Sequence, residues 1–213
     1  TAPKRVYPND INGAIAEGLT KSLKGWNVVT ASINDPEQGL PDDLLNKADV
    51  LIWWGHKKHD LVNDALVAKI VKRVKEDGMG FISLHSAHYA KPNKALMSTE
   101  CSWGAYETDT KTMQILVKDA NHPIVKGVKD FTIKNSERYS DPYAVPTPES
   151  VVFDGIHELR KGGSLTSQVG LCWTVGKGKF FYFQAGHETN PIYYDENVRK
   201  IMTNAVEWAA PKK

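Results

Sequence analysis

The chain has 213 residues, of which 41% are hydrophobic and 24% are charged, which is typical of a folded globular protein and suits one domain over residues 1–213. Its 27 Lys and Arg residues nearly match its 25 Asp and Glu residues, which argues against a nucleic-acid partner because phosphate-binding surfaces usually carry a large excess of positive charge. No apolar run approaches the about 20 residues that a membrane-spanning helix needs, so we expect no membrane insertion.

The first half of the chain alternates helical patterns with short apolar runs. Apolar residues recur every three or four positions between Ile11 and Leu23 and again between Leu61 and Val74, which predicts two amphipathic helices. The predicted strands of this half are Trp26–Thr30, Ala48–Trp54 and Gly78–Leu84. Alternating strands and helices predict an α/β fold with parallel strand pairing and helices on both faces of the sheet.

The second half consists mainly of strand patterns separated by turns that contain Pro and Gly. Its predicted strands are Thr112–Val117, Phe131–Ile133, Val151–Phe153, Thr166–Thr174 and Phe180–Phe183. We interpret Gly162-Gly163 and Gly176-Lys177-Gly178 as hairpin turns and not as phosphate-binding loops, because no helix follows them. A final amphipathic helix is predicted from Glu196 to Trp208.

The seven histidines carry the clearest functional signal. Predicted apolar strands are followed closely by His56, His85 and His187. The ligand crevice of an open parallel sheet lies beyond the carboxyl ends of its strands, so we expect these three rings to meet at one edge of the sheet. His59 and His88 come three residues after His56 and His85, which places each near its predecessor if the segment turns as a helix start.

Clustered imidazoles suit a divalent metal ion, zinc above all, with iron, nickel or manganese as alternatives if carboxylates join them. The carboxylate candidates are Glu137, Glu188 and Asp60. Two other interpretations stay open. The histidines could act as acids and bases without a metal, or each could simply cap a loop or bond a carbonyl group. His122 and His157 lie in turn or polar segments and are expected at the surface.

Aromatic residues flank the histidine segments and are candidate platforms for a sugar ring, although such residues more often fill the core. They are Trp53, Trp54, Tyr89, Tyr139, Tyr143, Tyr193 and Tyr194. Nucleophilic catalysis fits the sequence poorly, because no Gly-x-Ser-x-Gly elbow is present and Ser86 lacks flanking glycines.

Two cysteines, Cys101 and Cys172, are too few for a disulfide framework. They could form one disulfide, but we expect both to be reduced. The residues after Thr1 show none of the features of a signal peptide, which favours a cytoplasmic protein, although a leader removed before Thr1 would leave no trace.

Five motifs stand in a fixed order along the chain. They are Tyr7-Pro8-x-x-Ile11-x-Gly13-x-Ile15, Trp53-Trp54-Gly55-His56-x-x-His59, Leu84-His85-Ser86-Ala87-His88-Tyr89, Glu137-x-Tyr139-x-x-Pro142 and Gly186-His187-Glu188-Thr189. Together they resemble the ThuA-like family, named for trehalose utilisation, from about Tyr7 to Pro211. The resemblance implies a class I glutamine amidotransferase-like fold, a flavodoxin-like three-layer sandwich with a mostly parallel central sheet. The catalytic cysteine of true amidotransferases falls near His85 or Ser86, so glutamine hydrolysis is not expected.

Two departures from the family pattern concern the site. Family members usually have a further parallel strand with a histidine before the Tyr7-Pro8 motif, and they commonly have histidine where this chain has Asn12. Two explanations stay open: either this chain is truncated, so that the first strand of the fold is only missing from it, or this member has lost that part of the site. Both concern one or two of the residues that would bind the metal.

The resemblance links the chain to disaccharide catabolism, and the family occurs beside dehydrogenases that produce 3-keto sugars. It implies a metal-assisted lyase, isomerase or hydrolase that acts on a keto-glycoside or related small carbohydrate. The implied roles are metal binding by His56, His85, His187 and Glu137, proton transfer by His59, His88 and Glu188, and sugar contact by Trp54, Tyr89 and Tyr139. The alternatives are a non-catalytic sugar- or metal-binding module and a homo-oligomer interface that covers the aromatic residues.

Overall fold

The centre of the fold is a seven-stranded sheet with helices on both faces. A computed structural model describes residues 2–212. The strands are β1 (Val50–Trp54), β2 (Gly80–Leu84), β3 (Trp103–Glu107), β4 (Thr110–Val117), β5 (Phe131–Lys134), β6 (Arg138–Tyr143), β7 (Ser150–Leu159), β8 (Ser164–Val175) and β9 (Gly178–Phe183). The helices are α1 (Asp10–Ser22), α2 (Asp42–Leu45), α3 (Asp64–Lys75), α4 (Lys91–Met97) and α5 (Glu196–Ala209).

The strand order of the central sheet is β1-β2-β9-β8-β7-β4-β5. The pairings of β1 with β2 and of β2 with β9 are parallel, and the other four pairings are antiparallel. The sheet is therefore less parallel than the sequence led us to expect. The reason is local, since the strands on either side of Gly162-Gly163 and Gly176 are joined by hairpins too short for a parallel crossover.

Two hydrophobic clusters, one on each face of the central sheet, give the fold three layers. Ile82 of β2 and Phe181 of β9 belong to the cluster that contains the buried faces of α1 and α5. Their neighbours Phe81 and Tyr182 belong to the cluster that contains the buried residues of α3 and α4. Successive residues of a strand point to opposite faces, so both faces of β2 and β9 are covered. This arrangement confirms the predicted α/β class.

The strand prediction for Trp26–Thr30 is wrong. This segment has an irregular backbone, with Trp26 37% and Val29 53% exposed. The strand that follows it, β1, is the outermost strand of the central sheet and pairs only with β2 among residues 2–212. A strand needs a hydrogen-bonded neighbour, and none of the described residues precedes β1 as a strand. The other predicted helices and strands are present, most within a few residues of their predicted bounds, but β7 continues six residues beyond the predicted strand Val151–Phe153.

His157 is not at the surface, contrary to the prediction. It lies fully buried in β7, with Nε2 2.7 Å from Ser167 Oγ and Nδ1 3.3 Å from the side-chain amide of Asn135. The segment looked polar because residues on the two faces of a long strand alternate. His122 is half-buried against Trp208 and accepts a hydrogen bond from the backbone N–H of Ile124.

Both cysteines are free, as predicted, and both are buried. They lie in different hydrophobic clusters, Cys172 with α1 and α5 and Cys101 with α3 and α4, so the sheet separates them. None of the helices within residues 2–212 has the length and hydropathy to cross a membrane.

Candidate functional site

Three imidazoles converge at the carboxyl end of the parallel part of the sheet. His56, His85 and His187 follow β1, β2 and β9, which are neighbours in the sheet. The rings of His56 and His85 are nearly parallel, with centroids 5.4 Å apart. The ring of His187 stands edge-on to both, at 5.1 Å from His56 and 5.6 Å from His85. Parallel strands bring their carboxyl ends to one edge, which explains why segments distant in sequence meet here.

His85 is held in its orientation by the backbone around it. It opens a 3-10 turn (His85–Tyr89) directly after β2, and its ring Nδ1 donates to the carbonyl of Gln184, at 3.2 Å. Its other nitrogen, Nε2, lies 3.1 Å from Glu137 Oε2 and 3.3 Å from His56 Nδ1. An imidazole whose one nitrogen bonds a carbonyl presents the other as a ligand of fixed direction.

Glu137 is a buried carboxylate at the centre of the site, only 7% exposed. Its oxygens lie 3.1 Å from Nε2 of both His85 and His187, and they accept hydrogen bonds from the hydroxyls of Tyr106 (2.5 Å) and Tyr139 (3.2 Å). Burial by itself raises the pKa of this carboxyl, but its interactions with His187, His85 and Tyr106 outweigh that effect and hold the pKa well below its usual range. Glu137 is therefore ionised.

The carboxylate of Glu137 also changes the pKa of the His187 imidazole. Burial lowers the pKa of His187, but the hydrogen bond to Glu137 prevails and raises it above its ordinary value. His56 shows the opposite balance, because burial lowers its pKa more than the charge of Glu188 raises it. His187 therefore binds a proton more readily than His56 does.

Glu188 adds a second carboxylate to the site. Its Oε2 lies 3.6 Å from His56 Nδ1 and 3.8 Å from His187 Nε2, and it is buried without a hydrogen-bond partner among the described residues. Ser86 Oγ lies 3.2 Å from His56 Nδ1 and 2.6 Å from the hydroxyl oxygen of Tyr139. The Oε2 of Glu188 is thus a buried carboxylate oxygen without a hydrogen-bond donor from residues 2–212. Burying such an oxygen costs free energy unless a cation or a ligand proton faces it.

These groups suit a divalent metal ion. One ligand atom from each of His56, Glu137 and His187 can be chosen so that all three lie within 4.8 Å of one another, and His85 Nε2 contacts the same carboxylate. Two imidazoles and one carboxylate are a common donor set of catalytic zinc and of other divalent ions that keep an open position. The unpartnered oxygen of Glu188 beside them is what a cation would satisfy.

His59 and Asp60, both predicted near the site, lie on its outer side. His59 is half-buried, with its ring 6.0 Å from that of Tyr89 and packed against Gly55, where a Cβ would come within 3.3 Å of the imidazole. Burial, reinforced by the charge of His56, lowers the pKa of His59. Its imidazole is therefore neutral at neutral pH. The carboxylate of Asp60 is exposed.

His88 is fully buried, unlike His59. Its Nδ1 donates to the carbonyl oxygen of His85, at 2.9 Å, and its Nε2 has no hydrogen-bond partner among residues 2–212. Aromatic rings surround it, with centroids 4.1 Å away for Tyr89, 4.7 Å for Tyr139 and 6.1 Å for Trp103. Burial lowers the pKa of His88 to about 3, so the ring is neutral and is enclosed away from solvent.

The predicted sugar-contacting residues differ in accessibility. Tyr89 is 39% exposed, Tyr139 is only 4% exposed, and Trp54 is half-buried with its Nε1 donating to the carbonyl of Gly186. Tyr106, 51% exposed, joins Tyr89 as an open ring at the site. Sequence reasoning missed Tyr106, because only the pairing of β3 with β6, which sets it opposite Tyr139, brings it to Glu137.

Comparison with known proteins identifies the family of the chain. The ThuA family model, described as trehalose utilisation, matches residues 9–209. A ThuA-like protein from Bacteroides uniformis is 16% identical with a TM-score of 0.64, over 92% of this chain and 84% of that chain. A protein from Salmonella typhimurium described as cytoplasmic is 15% identical with a TM-score of 0.64, over 93% of this chain and 87% of that chain.

A glutamine amidotransferase from Thermotoga maritima is a more distant structural match, 9% identical with a TM-score of 0.46, over 76% of this chain and 78% of that chain. No curated protein sequence matches the chain significantly. The resemblance drawn from the five motifs is confirmed, and the family connects the chain with carbohydrate utilisation. With nearly its whole length matched by the family model, this chain belongs to the ThuA family.

Proposed function

We propose that the protein is a metal-dependent enzyme of carbohydrate utilisation that acts on a keto-glycoside or a related small sugar by proton transfer. The observation that carries this proposal is the cluster of His56, Glu137 and His187, whose ligand atoms lie within 4.8 Å of one another. The unpartnered oxygen of Glu188 beside the cluster supports it. Family membership supports the carbohydrate part of the proposal.

In this proposal His56, His187 and Glu137 hold the ion, and His85 is available as a further ligand through Nε2. Zinc fits the donor set best, and iron, nickel and manganese are alternatives. When bound, such an ion supplies a Lewis acid that polarises a sugar carbonyl or hydroxyl. Glu137 serves as a ligand because it is ionised in the buried site.

Proton transfer is assigned to His59 and Glu188. A carbonyl group acidifies the neighbouring C–H bond of a sugar, so that a weak base held close to it can remove the proton. His59 suits this role because its imidazole is neutral and half-buried at the rim. Glu188 lies beside the proposed metal ligands, 3.6 Å from His56 Nδ1, where its carboxylate can accept or return a proton.

Tyr89 and Tyr106 are proposed to bind the sugar. Both rings are partly exposed, and they contact site residues, Tyr89 through the ring of His59 and Tyr106 through Glu137. The apolar face of a sugar packs well on such rings. A tyrosine ring that packs on the sugar would also exclude water from the reacting carbon. We place the activity in the cytoplasm, since the similar Salmonella protein is described as cytoplasmic and both cysteines are free.

Zinc titration of the chelator-treated protein tests the metal, with Glu137→Gln as the variant and Glu76→Gln, an exposed carboxylate of the α3 end, as its matched control. Glu137→Gln should weaken zinc binding at least about tenfold, because an amide removes the charge from the donor set. Glu76→Gln should bind like the wild type. Equal affinity in all three proteins would contradict the metal site.

The catalytic part is tested with a methyl 3-keto-glucoside in deuterated buffer. The zinc-loaded protein should exchange the proton beside the carbonyl, as followed by NMR, and His59→Gln should slow the exchange about 10²-fold or more. Zinc binding without any exchange would leave a non-catalytic binding module, the second function considered from the sequence.

A further inference from the structure

The backbone of His85 has an unusual conformation. Its φ is +57°, in the left-handed region that residues with a side chain seldom adopt, at the point where β2 ends and the 3-10 turn begins. Such a conformation is strained, and it persists only where the surrounding structure holds it. The contacts of the His85 peptide show what holds it.

Two buried side chains donate to the carbonyl oxygen of His85. Nδ1 of His88 lies 2.9 Å from this oxygen, and the hydroxyl of Tyr182, on β9, lies 3.1 Å from it. Both residues are fully buried. Since a carbonyl oxygen can only accept, the proton of the neutral His88 ring is on Nδ1.

The side chain of His85 is fixed as well. Its Nδ1 donates to the carbonyl of Gln184. The space that its Cβ occupies is open because residue 186 is glycine, where a Cβ would come within 2.8 Å of His85 Cβ and 2.5 Å of Tyr193 Oη. With the peptide and the ring both held, Nε2 of His85 points at Glu137.

We propose that His88 is a positioning residue that acts through His85, and not a proton-transfer group. Its Nδ1–H and the hydroxyl of Tyr182 hold the His85 carbonyl, so that the left-handed turn persists and His85 Nε2 stays 3.1 Å from Glu137. The enclosure of His88 by aromatic rings leaves it no route to a substrate. The inference rests on the proposed metal site, which is what the position of His85 serves.

Two substitutions of His88 separate these roles. Asparagine places its amide N–H close to where Nδ1–H lies and keeps the donor, whereas phenylalanine keeps a ring and removes the donor. His88→Phe should weaken zinc binding about 10- to 100-fold, as is usual when a group that orients a ligand is lost. His88→Asn should stay within about threefold of the wild type. If His88 transferred protons, both variants would lose proton exchange and keep the zinc affinity.

Tyr182→Phe removes the other hydrogen-bond donor to the His85 carbonyl. It provides a second test of the inference if His88→Phe does not fold. It should weaken zinc binding several-fold, with urea unfolding of the metal-free protein as the stability control. Wild-type affinity in both His88→Phe and Tyr182→Phe overturns the inference, as does an equal loss in His88→Asn and His88→Phe.

A metal-free readout keeps the inference separate from the proposed function. If the wild type binds no zinc, the metal site is rejected, and ¹⁵N NMR of the imidazoles decides the rest. The His85 signals should change in His88→Phe and be preserved in His88→Asn. Unchanged His85 signals in His88→Phe overturn the positioning role.

Discussion

Glu137 and Tyr106 illustrate what single residues contribute to this site. Glu137 accepts from two phenol hydroxyls and lies 3.1 Å from two imidazoles, so it is ionised although it is buried. Tyr106 donates one of these bonds while half of its side chain faces solvent. The hydroxyl of Tyr106 is therefore part of the hydrogen-bond network around Glu137, whereas its ring faces solvent.

The two parts of Tyr106 can be separated by substitution. Tyr106→Phe keeps the ring and should leave binding of the methyl 3-keto-glucoside nearly unchanged, whereas Tyr106→Ala should weaken it about 2- to 10-fold, which corresponds to the energy of one aromatic contact. Calorimetric titration of the sugar measures this. Equal loss in both variants would assign binding to the hydroxyl and contradict the stacking role.

Sequence reasoning found the imidazoles more readily than their partners. His56, His85 and His187 each follow an apolar strand, a local signal that the parallel sheet turns into proximity. Glu137 was named from a motif, and nothing in its own neighbourhood predicts two imidazoles within 3.1 Å. Contacts made across a sheet pairing, such as that of Tyr106, have no local signal at all.

Among the helices and strands, those with a local sequence pattern were predicted, and those that depend on a distant pairing partner were not. The helices α1, α3 and α5 and the strands of the central sheet follow from apolar periodicity. The small sheet of β3 and β6 was not predicted, since both strands are short and of mixed composition and each pairs with a strand about 30 residues away in the chain. The failure of the Trp26–Thr30 strand has the same origin, because a strand pattern without a neighbour forms no strand.

The loop after β9 must keep its glycine at position 186. Gly186 has a φ of +152°, and an added Cβ would come within 2.5 Å of Tyr193 Oη. Gly186→Ala should lower the free energy of unfolding by roughly 1–3 kcal/mol and should also weaken zinc binding, because His85 and His187 lie on either side of it.

Gly25→Ala is the matched control, since Gly25 also has a positive φ, +79°, but has open space around it. It should cost only about 1 kcal/mol and leave zinc binding unchanged. Urea unfolding and zinc titration of both variants provide the comparison. A Gly186→Ala protein as stable as the wild type would show that the loop relaxes freely.

At the scale of the whole molecule, stability should depend on pH through the fully buried histidines His157 and His88. Burial, followed by the charge of Arg138, lowers the pKa of His157 to about 3, and the amide of Asn135 faces the Nδ1 that protonation would fill. A group whose pKa is depressed in the folded state stabilises the fold above its unfolded pKa of about 6.5, and that contribution is lost as the pH falls towards about 3.

The free energy of unfolding should therefore fall between pH 6.5 and pH 4, by roughly 1.4 kcal/mol per pH unit for His157. Burial also lowers the pKa of His88 to about 3, so His88 likewise lowers the free energy of unfolding as the pH falls. The difference between the wild type and His157→Gln isolates the contribution of His157. Urea unfolding at several pH values measures it, and parallel profiles for the two proteins would refute the assignment.

The groups that meet in the cluster of His56, Glu137 and His187 come from the ends of two strands and the approach to a third, far apart along the chain. An extended polypeptide holds them too far apart to bind anything together. Whatever occupies this cluster is therefore captured only by the native state, and mass action makes it a stabiliser of that state.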